Sequence, residues 1–148
     1  MSILSAALAA VLALLLGHGT GALALLWWGP PAGDTPLAPW MFGAVWTVLY
    51  PCFGVGAATL WAHRGDGEAA PLALALGGCA ALTVLLWMPV ACAAQDPAVT
   101  ALMDALAWGV VWIAAWGYRR VSRAASAWLL PLVLWMPVTF GLSLWAAL

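Results

Sequence analysis

The sequence predicts an all-α membrane protein, a bundle of five transmembrane helices that forms a single domain over residues 1–148. Of its 148 residues, 67% are hydrophobic and only 6% are charged, and the mean hydropathy is +1.06. A water-soluble domain has about a quarter of its residues charged, so this composition excludes a soluble globular protein. Backbone groups inside a bilayer must bond to each other, which favours helices over open strands.

Five apolar stretches are each long enough to cross a bilayer, which takes about 20 residues. They cover residues 3–26, 40–61, 71–94, 98–118 and 125–147. The connectors between them read WWGPPAGDTPLAP, HRGDGEAAP, QDPA and RRVSRAA. The first stretch lacks the positively charged start of a signal peptide and its apolar run continues to Trp28. We therefore expect an uncleaved first span rather than a leader.

The distribution of charge predicts the orientation of the bundle. Five spans place the N-terminus, the second loop and the fourth loop on one side. All the cationic residues fall there: Arg64, Arg119, Arg120 and Arg123. Asp34 and Asp96 fall on the other side. The positive-inside rule then places the N-terminus in the cytoplasm of a bacterium and the C-terminus outside its inner membrane. A net charge of −1 without any lysine excludes the basic face of a nucleic-acid-binding protein.

The stretch PWMFGAVWTVLY, residues 39–50, opens the second helix with an aromatic stripe. Phe42, Trp46 and Tyr50 recur every four residues and so share one helix face. Pro51 removes a backbone donor and is expected to bend the helix below the stripe. Such a stripe is typical either of a pocket wall for a flat apolar ligand or of the interfacial aromatic belt of membrane proteins.

Depth in the membrane separates these two interpretations. With a rise of about 1.5 Å per residue, several residues lie about 9–18 Å below the first-loop side of the membrane. They are Trp46, Tyr50, Trp87, Trp108, Trp135 and Thr139. A belt stays at the membrane surface, so residues at this depth favour a pocket.

Two ionisable residues share the same half of the membrane. His18 lies about 12 Å down the first helix and Asp104 about 9 Å down the fourth. Intramembrane ionisable groups are costly and are usually paired or functional. We hypothesise that both side chains face the bundle interior and hydrogen-bond to each other. In the alternative, Asp104 extends to the outer surface and His18 bonds to a helix carbonyl.

Catalytic and metal-binding patterns do not emerge from the sequence. It has no paired carboxylates, no Ser-His-Asp arrangement and no metal cluster, so no catalytic or metal-ligating residue is assigned. Cys52, Cys79 and Cys92 lie in apolar runs without metal-ligand spacing, and we expect packed thiols. Small residues at four-residue spacing occur at Gly17 and Gly21, and again in the third helix. They predict close helix packing, either within the bundle or in a dimer.

Several motifs resemble those of one membrane protein family. The pattern Trp40-x-Phe42-x-x-x-Trp46-Thr47-x-Leu49-Tyr50 resembles the second-helix signature of the TspO/MBR family, the tryptophan-rich sensory proteins and translocator proteins. Further motifs are similar to its third helix, fourth loop and fifth helix: Trp87-x-Pro89, Val121-Ser122, Leu129-Leu130-Pro131, Trp135 and Gly141-Leu142. The resemblance extends from about residue 39 to residue 143.

The resemblance implies a five-helix bundle, often dimeric, with a ligand pocket beneath the first loop. It implies a sensor, regulator or carrier of porphyrins or other tetrapyrroles, with no cofactor required beyond such a bound ligand. Light-dependent porphyrin breakdown is the enzymatic activity that it suggests. Carried over position by position, the pocket would be lined by Phe42, Trp46, Tyr50, Trp87, Trp135 and Thr139, beside His18 and Asp104.

Three departures from the family pattern remove polar groups from this pocket. Val84 and Ser143 replace asparagines, and Leu132 replaces a tyrosine. Two other functions therefore stay open: an accessory structural subunit of a larger membrane complex, and a carrier of a wholly apolar lipid such as a sterol or carotenoid. The expected partners are membrane lipid, the ligand itself, and either a second copy of the chain or that larger complex.

Overall fold

The computed structural model describes residues 1–33 and 36–148, which fold into helices. They are α1 (Ile3–Trp28), α2 (Pro39–Ala62), α3 (Ala69–Ala94), α4 (Pro97–Val121), α5 (Arg123–Ala127) and α6 (Leu130–Ala147). With α5 and α6 taken as one span, five segments are long and apolar enough to cross a membrane. The chain is thus an integral multi-pass membrane protein, as predicted. Asp34, which the charge argument placed outside, lies beyond the described residues.

Side-chain caps explain where three of the helices begin. The Ser2 hydroxyl accepts a hydrogen bond from the backbone N–H of Ser5 at the start of α1. Asp96 accepts from Ala98 and is followed by Pro97, which needs no N–H partner in the first turn of α4. Ser122 accepts from Ala125 at the start of α5. Each cap satisfies an N–H group that has no partner within its helix.

The prediction of one continuous fifth helix over residues 125–147 is wrong at its beginning. The chain is extended at Ser122, forms the short α5, and turns again at Trp128 before α6 starts at Leu130. Pro131 has no N–H to donate to the carbonyl of Ala127, so a regular helix cannot run through this point with all its bonds. By contrast, α2 continues through Pro51.

The helices form a ring in which each packs against its neighbours. α1 contacts α2 and α3, α3 contacts α4, α4 contacts α6, and α2 closes the ring through α5. Missing side chains allow the closest approaches. Gly54 lies so near α1 that an added Cβ would overlap the carbonyl oxygen of Ala9, and Gly17 lies directly beneath the ring of Tyr50. The small residues of α1 and α2 therefore pack inside the bundle.

The Gly54→Ala substitution is expected to destabilise the protein by about 1–3 kcal/mol, because the new methyl group forces α1 and α2 apart. Gly141→Ala is the matched control, since Gly141 is exposed on α6 with no atom near its added Cβ. The control should keep or slightly raise stability, by up to about 1 kcal/mol, through better helix propensity. Thermal unfolding in detergent measures both, and equal midpoints for the two variants would contradict the tight α1–α2 contact.

Candidate ligand-binding site

Burial divides the twelve tryptophans into two groups. Nine are exposed: Trp27, Trp28, Trp40, Trp61, Trp108, Trp112, Trp116, Trp128 and Trp145. The other three are Trp46, which is buried, and Trp87 and Trp135, which are half-buried. Depth counting predicted these three and Trp108 to lie deep in the first-loop half. The prediction that Trp108 shares the pocket is wrong, because its side chain is exposed on α4. An outward-facing aromatic surface thus accounts for most of the tryptophans, but not for Trp46, Trp87 and Trp135.

The stripe of α2 reaches across the bundle to α6. Trp46 is only 9% exposed, and its ring centroid lies 4.9 Å from that of Tyr50 at an interplanar angle of 31°. Phe42 meets Trp135 of α6 edge to face, with centroids 6.2 Å apart. Both geometries are favourable for aromatic rings. We call Phe42, Trp46, Tyr50, Trp87 and Trp135 the aromatic cluster.

A buried carboxyl group lies beside this cluster. Asp104 of α4 is 1% exposed, and its Oδ2 accepts a hydrogen bond of 2.5 Å from the hydroxyl of Ser143 in α6. The hydroxyl of Thr139 and the indole of Trp87 also lie near the carboxyl. Asp104 therefore faces the bundle interior, as hypothesised. Ser143 was predicted only as the loss of an asparagine, and its role as the partner of Asp104 was missed.

The predicted pairing of His18 with Asp104 is wrong. His18 is exposed, and its Nε2 lies 3.0 Å from the hydroxyl oxygen of Thr47, with the ring edge-on to Tyr50 at 5.5 Å. The single Thr47 proton is donated to the carbonyl of Gly43. The hydroxyl oxygen must therefore accept a proton from His18 Nε2.

Helix neighbours explain the error, because α1 packs on α2 and α3 whereas Asp104 faces α6. The alternative also fails. Asp104 does not extend to the surface, and His18 bonds to a hydroxyl rather than to a helix carbonyl.

Two indole N–H groups in the aromatic cluster are buried without an acceptor. Neither Trp87 Nε1 nor Trp135 Nε1 has a hydrogen-bond partner within the part of the chain that the structure describes. Trp87 lies near the Asp104 carboxyl but without the geometry of a hydrogen bond. An unsatisfied buried donor costs about 1–3 kcal/mol, so such groups are rare and require an explanation. An acceptor supplied by a bound molecule would provide one.

The first loop is tied to the end of the bundle where the aromatic cluster lies. The amide of Gln95, at the end of α3, donates to the carbonyl of Pro30 at 2.9 Å and to that of Cys92 at 2.7 Å. Gly33 lies close to Pro97 of α4 and Ala146 of α6. The described part of the loop therefore covers this end of the bundle. Gln95 carries no pattern that sequence reasoning could have singled out.

A large groove lies elsewhere in the structure. It has a volume of about 810 Å³ and runs between α1, α2 and α3 in the half of the membrane that contains the N-terminus. Tyr50 is the candidate site residue that lines it, together with Val84 at the same inner end. The groove was not predicted, because the glycines and alanines among its lining residues form no recognisable pattern in an alanine-rich chain.

The described residues do not form a metal-binding site. Within residues 1–33 and 36–148, no three His, Cys, Asp or Glu side chains come together as a metal site. Cys52, Cys79 and Cys92 are free thiols, and the expectation of packing holds for Cys92, which is buried, but not for Cys79, which is exposed. The cluster instead offers aromatic faces, two indole donors and one carboxyl group.

Comparison with known proteins matches nearly the whole chain to one protein family. The family model described as TspO/MBR family matches residues 10–146, which include every candidate site residue. The chain is also 30% identical over 101 residues to Translocator protein 2 of Mus musculus. That match covers 67% of this chain and 62% of the relative, so it spans less than two thirds of the relative's length.

The Ser143→Ala substitution is expected to destabilise the bundle by about 1–3 kcal/mol, because it leaves a buried carboxyl oxygen without its donor. Thr83→Ala is the matched control, since the Thr83 hydroxyl bonds only to the Cys79 carbonyl of its own helix. That change should stay within about 0.5 kcal/mol. Denaturant unfolding in detergent measures both. A Ser143→Ala protein as stable as the control would show that Asp104 does not depend on this hydrogen bond.

Proposed function

This protein belongs to the TspO/MBR family, and from that premise we propose that it binds a flat apolar ligand of the tetrapyrrole class in the aromatic cluster. In this proposal the protein acts as a sensor, regulator or carrier of that ligand in the membrane. The observation that carries it is the pair of buried indole donors, Trp87 Nε1 and Trp135 Nε1, which lack acceptors among the described residues. A porphyrin combines broad apolar faces with peripheral hydrogen-bond acceptors, and the cluster complements both.

Stacking and burial would supply most of the affinity. Trp46 and Trp135 lie on α2 and α6, so a planar ring inserted between these helices would contact an aromatic face from each side. Favourable aromatic pairs contribute about 0.5–1.5 kcal/mol beyond the burial of area. The contact between α2 and α6 is made by aromatic side chains, Phe42 against Trp135. Binding would require these side chains to move apart.

Charge restricts how such a ligand is oriented. A ligand carboxylate next to Asp104 would bring two carboxyl groups together in a buried site, where both cannot be ionised. Trp87, which lies near Asp104, is therefore better matched to a neutral acceptor such as a carbonyl oxygen. The carboxylates of the ligand would point towards the first loop, which lies over this end of the bundle.

The positive-inside rule supports a cytoplasmic N-terminus in a bacterial inner membrane. The arginines on that side lie against aromatic rings: the Arg64 guanidinium is 5.2 Å from the Trp61 centroid and that of Arg120 is 3.8 Å from the Trp116 centroid. Tryptophan and arginine together at a helix end are typical of a membrane interface. In this orientation the aromatic cluster lies in the outer half of the membrane, beneath the first loop.

Titration of the detergent-solubilised protein with protoporphyrin IX, followed by tryptophan fluorescence, tests the proposal. Saturable quenching is expected, with binding weakened about tenfold or more in Trp46→Ala and in Trp135→Ala, the size of a tryptophan hot spot. Trp112→Ala is the matched control, because Trp112 is exposed on the outer face of α4. Its dissociation constant should equal that of the unsubstituted protein.

A Trp135→Phe variant separates stacking from hydrogen bonding. It keeps an aromatic ring and removes the indole donor, so the expected loss is about threefold to tenfold, the value of one hydrogen bond. Quenching no stronger than with empty micelles, or equal weakening by Trp112→Ala, would overturn the proposal. That result would favour the accessory structural subunit instead.

A further inference from the structure

The groove between α1, α2 and α3 spans one leaflet of the membrane. Its lining residues on α2 extend from Ala62 at the helix end to Tyr50, a distance of about 18 Å at the rise of an α-helix. Half of a bilayer's hydrocarbon core is about 15 Å thick. The volume of about 810 Å³ is within the range of small-molecule sites, about 300–1,000 Å³. The groove is thus as deep as a lipid tail is long.

The walls are apolar, and the space comes from missing side chains. Gly78 and Ala81 of α3 face Ala9 and Ala13 of α1 across the groove, with Ala57 of α2 beside them. A Cβ added at Gly78 would meet no atom within 4 Å. Larger residues at these positions would fill the groove from helix to helix. An unbranched hydrocarbon chain fits such a narrow apolar groove.

A buried tyrosine supplies one polar group to this apolar space. Tyr118 of α4 is 2% exposed and lines the groove. Its hydroxyl lies directly against Gly77, another lining residue, and bonds to no residue that the structure describes. Gly77 is eight residues after Ala69, the first residue of α3, which places the hydroxyl about 12 Å or less below that helix end. A phenol O–H beside an apolar space gains from an acceptor, and a molecule in the groove is placed to supply one.

Arg64 lies at the mouth of the groove, which Met1 also lines. Arg64 follows the end of α2 and lines the outer end. Its guanidinium donates to the Trp61 carbonyl at 3.1 Å and lies over the Trp61 ring. It forms no ion pair within the described ranges, although Asp66 and Glu68 are close in sequence. A guanidinium held in place at the membrane surface with free donors is suited to a phosphate group.

We propose that this groove binds one acyl chain of an anionic glycerophospholipid from the leaflet on the N-terminal side. The chain lies along the glycine and alanine walls, the headgroup phosphate pairs with Arg64, and an ester carbonyl accepts the Tyr118 hydroxyl proton. The order of the protein groups from the surface inward, cation, phenol and apolar wall, matches the order of phosphate, ester and chain in such a lipid. This site is separate from the aromatic cluster and does not depend on tetrapyrrole binding.

Native mass spectrometry of the full-length protein, titrated in detergent with defined lipids, tests the proposal. Dioleoylphosphatidylglycerol is the anionic probe and dioleoylphosphatidylcholine the zwitterionic one. The unsubstituted protein should retain one phosphatidylglycerol about fivefold more tightly than phosphatidylcholine, the effect expected from one exposed ion pair. Oleic acid, added alone, tests whether a free fatty acid is the better occupant.

Three substitutions address the three parts of the site. Gly78→Leu fills open space and should reduce retention of both lipids to the background. Arg64→Gln should abolish the preference for phosphatidylglycerol while leaving phosphatidylcholine retention unchanged. Tyr118→Phe removes only the hydroxyl group and should weaken both lipids by a similar factor, about threefold to tenfold for one hydrogen bond.

Matched controls come from the same chain. Gly141→Leu adds the same side chain at an exposed glycine of α6, and Arg123→Gln removes an exposed arginine that does not line the groove. Both should behave like the unsubstituted protein. Retention that survives Gly78→Leu, or a lipid preference that Arg123→Gln changes as much as Arg64→Gln, would overturn the proposal. So would oleic acid binding in preference to both phospholipids.

Discussion

The buried carboxyl group of Asp104 fixes the rotation of α4, and much of the bundle follows from it. A charged side chain facing lipid at mid-membrane costs about 2.5–3.5 kcal/mol or more, so Asp104 has to face protein, where Ser143 supplies a donor. Asp104, Val111 and Tyr118 recur every seven residues and share one buried face of α4. The same rotation turns Trp112 and its neighbours outward and directs Tyr118 against α3. The orientation of α4 therefore affects both halves of the molecule.

The two halves of the membrane hold two different kinds of site. Near the first loop, large rings meet and leave indole donors without acceptors. Near the N-terminus, small glycine and alanine residues make room for a groove that the phenol of Tyr118 lines. Rings suit a planar ligand through stacking, whereas a narrow apolar groove suits a flexible chain through burial alone. The two sites differ in the size of the side chains that form them. They do not differ in charge, since neither half has a charged residue other than Asp104 in its interior among those the structure describes.

Sequence patterns predicted the features that a single helix determines, such as its span and the depth of its residues. They missed the features that depend on how two helices lie relative to each other. Hydropathy located every span, and depth counting selected Trp46, Trp87 and Trp135 correctly but also selected Trp108, which is exposed. Depth alone does not say which residues are in contact, however. His18 and Asp104 lie at similar depths, but their helices have different neighbours. The groove was missed for a related reason, because absent side chains leave no pattern in an alanine-rich chain. The break before α6 was missed because Pro131 reads equally well as the first turn of a helix.

The three departures from the family pattern have different consequences in the structure. Ser143 has a hydroxyl in place of an amide, and this hydroxyl donates to Asp104, so this position is still polar although its side chain is shorter. Leu132 is fully buried and Val84 nearly so, at 1% and 5% exposure. Val84 lines the inner end of the groove beside Tyr50, and Tyr50 in turn packs on Trp46. An amide at position 84 would require a partner in this apolar wall. Valine removes that requirement, so the groove stays apolar to its end while the indole groups of Trp87 and Trp135 provide the donors of the other half.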